Sequence, residues 1–98
     1  MGRQLVFRNI LHDQVHADVE LSAELDAVAD AVAGADGLLG GVDRYGDTMF
    51  NPFQLTRVVA ELDAIAADHP HLAQAAQALS RMAERVIRMR GYFWIIGD

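Results

Sequence analysis

The chain has 98 residues, a formal net charge of −6 at pH 7 and no cysteine. That excludes disulfide scaffolds, zinc ribbons and thiol chemistry, and it suits one hydrophobic core in a single globular domain spanning 1–98. The N-terminus lacks the apolar stretch of a secretory leader and no run approaches the roughly 18 apolar residues of a membrane span, so a cytoplasmic protein without membrane contact is expected.

Residues 4–11 are apolar and β-branched enough for a first strand. From 17 to 33, Leu21, Leu25, Val28 and Val32 recur at steps of four, three and four, which is one stripe of a helix. Asp18, Asp26 and Asp30 fall to one side of that stripe and toward its back, so the helix is expected to show water a nearly continuous acidic surface. Residues 34–48 hold five glycines and no periodic apolar pattern, which predicts a loop. Whether that loop binds an ion is open at this point.

Asn51 then reads as an N-cap, Pro52 as the first helical position and Gln54 as a capping-box partner, with Phe50 and Leu55 spaced as a hydrophobic staple. The second helix has an inner face of Leu55, Val58, Val59, Leu62, Ile65 and Ala66, and an outer face of Arg57, Glu61, Ala64 and Asp68. Pro70 breaks it and opens a third helix that runs to about Arg90, with Leu72, Ala76, Leu79, Ala83 and Val86 inward. Met82 and Met89 read as core filler. Gly91 sits as a C-cap glycine, and Tyr92 to Ile96 are all aromatic or β-branched, as a buried strand would be. The expected fold is α+β and mostly helical: three amphipathic helices on a small sheet that pairs the N- and C-terminal strands.

No catalytic signature stands out. His12 and His16 are spaced i and i+4, which on a helix could share a metal for a hydrolase, but the usual glutamate is missing and no third ligand is evident beyond His69 or His71. Neither a metal nor a cofactor is therefore expected. The glycine-rich loop matches neither an EF-hand nor a phosphate-loop pattern. Arg81, Arg85 and Arg88 form a basic stripe opposite the apolar face of the third helix. Glu84 is well placed to pair with Arg88.

All eight basic residues are arginine, a usage that suggests a GC-rich bacterial genome. The segment Tyr45-Gly-Asp-Thr-Met-Phe-Asn51 and the terminal Tyr92-Phe-Trp-Ile-Ile-Gly-Asp98 together resemble a group of small actinobacterial proteins. Those proteins carry a Gly-Asp-Thr-x-Phe-Asn segment and a terminal aromatic-x-x-Gly-Asp segment. The resemblance covers about the C-terminal two-thirds of the chain and implies no activity and no functional residue.

Charge carries the functional expectation. Twelve carboxylates lie between positions 13 and 68 against two arginines, Arg44 and Arg57. Such a surface repels nucleic acid and attracts basic proteins. The reading is a non-catalytic, protein-binding domain of the inhibitor or immunity type, with Asp26, Asp30, Asp36, Asp43 and Asp47 facing a basic protein partner. The alternatives are a small self-associating domain, forming a homo-oligomer, and a metal-assisted hydrolase using His12 and His16.

Overall fold

The computed structural model describes residues 3–9, 14–17, 19–43 and 45–97, with backbone alone for 14–17, 19 and 20. Ile10, Leu11, His12, Asp13, Asp18, Arg44 and Asp98 lie outside the described residues. The chain order is β1 (Gln4–Arg8), β2 (Gln14–Ala17), α1 (Val19–Ala31), β3 (Thr48–Phe50), α2 (Pro52–Asp68), α3 (Ala73–Arg88) and β4 (Tyr92–Ile96). Short 3₁₀ turns at Leu39–Gly41 and Pro70–Leu72 join the elements. The fold is α+β and mostly helical, with the helices packed against an antiparallel sheet in which β1 and β4 are neighbours.

The sheet has the order β2-β1-β4-β3, two strands more than the sequence suggested. β2 and β3 hold four and three residues, too few to show an alternation of their own. They exist because β1 and β4 present ladders to pair with. The first strand also ends earlier than its apolar run, at Arg8.

Side chains alternate along β4: Phe93 and Ile95 are buried, whereas Tyr92, Trp94 and Ile96 on the opposite face are half-buried. The inward set meets Leu5 and Phe7 of β1 and Phe50 of β3 in one cluster with the helices. Phe7 and Phe93, paired across the ladder, pack with their rings tilted by 54° at a centroid distance of 5.3 Å. Leu21, Leu25 and Val28 of α1, Leu55, Val58, Leu62 and Ile65 of α2, and Ala76, Leu79, Ala83 and Val86 of α3 complete the core. Ser22 is buried as well, because its hydroxyl accepts the Leu5 N–H at 2.8 Å and ties α1 to β1.

The start of α2 follows the sequence closely. The Asn51 side chain accepts the Gln54 N–H at 2.8 Å, and the Gln54 side chain accepts the Asn51 N–H at 3.0 Å, a complete capping box. Phe50 and Leu55 both enter the core. The end of α3 differs from expectation. Arg90 (φ 57°), and not Gly91, takes the left-handed conformation, while Gly91 N–H reaches Val86 O at 2.9 Å and Arg90 N–H reaches Ile87 O at 3.0 Å. This is a Schellman turn. Gly91 is needed for space, since a Cβ there would lie 2.5 Å from the Arg8 carbonyl oxygen. Met89 leaves the core altogether and is 56% exposed.

Candidate functional site

The acidic candidates do not form one surface. Asp26 and Asp30, one turn apart on α1, converge on Arg3, whose Nη1 lies 2.6 Å from Asp26 Oδ1 and 3.0 Å from Asp30 Oδ1. Asp26 also accepts the Arg3 N–H. Arg3 is 5% exposed. The expectation that both carboxylates stand on the solvent side of the helix is therefore corrected for Asp26, which is half-buried against the Arg3 guanidinium; Asp30 remains exposed. A helical wheel places the two on one side of α1, but only the fold puts a buried cation beneath them.

Asp43 and Asp47 are exposed but committed to the loop that precedes β3. Asp43 Oδ1 accepts the Tyr45 N–H at 2.9 Å. Asp47 accepts the Gly97 N–H at 3.3 Å and the Trp94 Nε1–H at 3.4 Å. Gly97 fits closely here, because a Cβ on it would meet Gly46 O at 2.4 Å. The two segments that carry the resemblance noted above are thus one structural unit, a turn stapled to the end of β4.

Asp36 alone among the five has no polar partner among the described residues, and it borders a groove. The groove, about 180 Å³ in volume, is lined by Val32 and Ala35, by Asp36 and Gly40, and by Glu61, Ala64 and Ile65 of α2. Its loop wall is held in place by Glu61, which sequence spacing assigns to the outer face of α2. Glu61 Oε2 accepts the Leu38 N–H at 2.9 Å and Oε1 the Leu39 N–H at 3.0 Å, so the carboxylate satisfies the opening amides of the 3₁₀ turn. Gly37 (φ 113°) lets the chain pass this carboxylate, where a Cβ would come within 3.0 Å of it. The result is an aliphatic floor with a solvent-facing carboxylate at the rim.

The basic face of α3 is as exposed as expected, but Arg81, Arg85 and Arg88 make no ion pair with Glu84 among the described residues. A second, more polar groove of about 430 Å³ runs beside Arg81, lined by Glu24, His71, Gln74, Ala75 and Ala78. His16 stands in β2, so the helical i and i+4 geometry behind the metal reading does not apply at this position. No group of three or more His, Asp or Glu side chains that could hold a metal occurs among the described residues. No helix among them is long and apolar enough to cross a membrane.

Comparison with protein-family models, with curated proteins and with solved structures finds no match.

Proposed function

We propose that the chain is a non-catalytic protein-binding domain, of the inhibitor or immunity type, that presents carboxylates to a basic partner. The observation that carries this reading is the groove rimmed by Asp36, with its aliphatic lining and its wall fixed by Glu61. Asp63 and Asp68 on α2 are also exposed and without an ion pair among the described residues. Asp26 belongs to the fold rather than to this surface, and Asp43 and Asp47 shape the neighbouring loop. Asp30 is engaged with Arg3, so among the five carboxylates it is Asp36 that this surface presents.

In this reading an arginine or lysine of the partner enters the groove, and the surrounding carboxylates raise the rate of encounter. The test is capture of partners from a bacterial extract on the immobilised chain, followed by elution with salt. Basic proteins released by moderate salt, and lost when Asp36→Arg is combined with Ala64→Trp to charge and fill the groove, are the expected result. Recovery of neutral or acidic partners only, or binding indifferent to both salt and the filled groove, refutes it.

A further inference from the structure

The groove beside Arg81 differs in kind from the one rimmed by Asp36. At about 430 Å³ it falls within the roughly 300–1,000 Å³ that small-ligand sites occupy. Glu24 of α1 forms one wall, and His71, Gln74 and Arg81, spread over about 15 Å of helical rise, form the other. Ala75 and Ala78, half-buried and packed on the core, complete the lining. Gln74, Ala78 and Arg81 recur at steps of four and three and so share one face of α3. A larger side chain at position 78 would occupy the space.

Two opposite charges line this groove without meeting. Glu24 is half-buried and Arg81 is exposed, and Arg81 forms no ion pair with Glu24 or with any other carboxylate among the described residues. The cavity therefore holds a carboxylate and a guanidinium apart, over an aliphatic surface. A ligand with a negative charge alone would be repelled by Glu24, and one with a positive charge alone by Arg81. A molecule that carries both finds an opposite charge for each. It also adds no net charge to a chain of −6, so the long-range field that turns anions away does not oppose it.

We infer that this groove binds a small zwitterion of amino-acid or dipeptide size. Its carboxylate lies on Arg81, its ammonium on Glu24, and its aliphatic part against Ala75 and Ala78. The planar guanidinium matches a carboxylate with two parallel hydrogen bonds, which a point charge does not. Gln74 adds an amide that both donates and accepts, for polar atoms between the two charged ends. The groove is open and its charges are partly solvated, so binding is modest, with a dissociation constant on the order of 1 mM, and it weakens as salt rises. None of these residues lines the Asp36 groove. The site is therefore independent of the protein-binding reading, and either can fail without the other.

The test is a titration of the full, isotope-labelled chain, followed by NMR at the backbone amides of Gln74, Ala75 and Ala78. The probes are L-alanine, L-alanyl-L-alanine and 4-aminobutyrate, with acetate and methylamine as single-charge controls. At least one zwitterion is expected to shift these resonances saturably, and acetate and methylamine, alone or mixed, to bind at least about tenfold more weakly. Arg81→Gln and Glu24→Gln should each weaken the binding about five- to tenfold, whereas Arg85→Gln, one turn further along α3, leaves it unchanged. Ala78→Leu fills the groove and should abolish the response. Arg81 is exposed, so Arg81→Gln keeps the test decisive even where Glu24→Gln or Ala78→Leu disturbs the fold. The absence of any saturable shift with all three zwitterions at about fifty times that dissociation constant, an equal response to acetate or methylamine, or binding undiminished by Arg81→Gln overturns the proposal.

Discussion

Arg3 Nη1 lies 2.6 Å from Asp26 Oδ1, a link between the start of β1 and the middle of α1 with the arginine almost wholly buried. Removing one member of such a pair leaves the other as a buried charge without its counter-ion. Asp26→Ala should destabilise the fold by about 2–3 kcal/mol, less than the roughly 3–5 kcal/mol for breaking a fully buried pair, because Asp30 still faces the guanidinium. Charge reversal at Asp26 should prevent folding, whereas reversal at Asp30 should be milder. Urea denaturation of Asp26→Ala, Arg3→Met and the double variant checks this, and additive effects would contradict a direct coupling.

Glu61 holds the loop that forms one wall of the groove. Glu61→Ala should lower stability by about 1–3 kcal/mol, since two hydrogen bonds to a charged acceptor are lost at a half-buried site. The loosening should be local. Hydrogen exchange at the Leu38 and Leu39 amides is expected to accelerate well beyond that in the core of α2, and uniform acceleration across the chain would count against this role.

Two glycines make a matched comparison. Gly97→Ala drives a methyl group into the Gly46 backbone, whereas Gly41→Ala meets nothing within 4 Å. The first should displace the 45–47 turn and change the Trp94 fluorescence through Asp47, and the second should leave both spectrum and melting temperature unchanged. An equal response from the two variants would mean that the turn is not packed on the end of β4.

At the start of α2, Asn51→Ala should cost about 0.5–2 kcal/mol, and Asn51→Asp should be tolerated because aspartate also accepts from the helix amides. Thermal denaturation of the two variants gives the comparison.

Long periodic or capped segments were legible in advance. Asn51-Pro52, the 3.6-residue rhythm of α2 and α3, and the aromatic run 92–96 each carry local rules that the fold obeys. What stayed hidden depends on tertiary neighbours. Nothing in the spacing of Asp26 shows that Arg3, 23 positions away, lies buried beside it. Glu61 and Met89 sit at positions that wheel geometry assigns to water and to the core respectively, and each departs because of what packs nearby: the 3₁₀ turn draws Glu61 in, and the Schellman turn at Arg90 carries Met89 out. Of the candidate site, the acidic character was readable. The division between carboxylates that build the fold and those that stay in solvent was not.

The place of β4 between β1 and β3 has a consequence for the order in which the molecule can be written. Gln4 and Ile96 are Cα partners in the β1–β4 ladder, about 5 Å apart across neighbouring strands. A short turn could join Ile96 back to Gln4, with new ends opened in the exposed stretch 33–37. The central ladder of the sheet would then be a hairpin, and closing it would span a few residues instead of the whole chain. The entropy cost of closure falls by about 2–3 kcal/mol on shortening a loop from roughly 90 residues to about 4, so the permuted chain should fold faster into the same core.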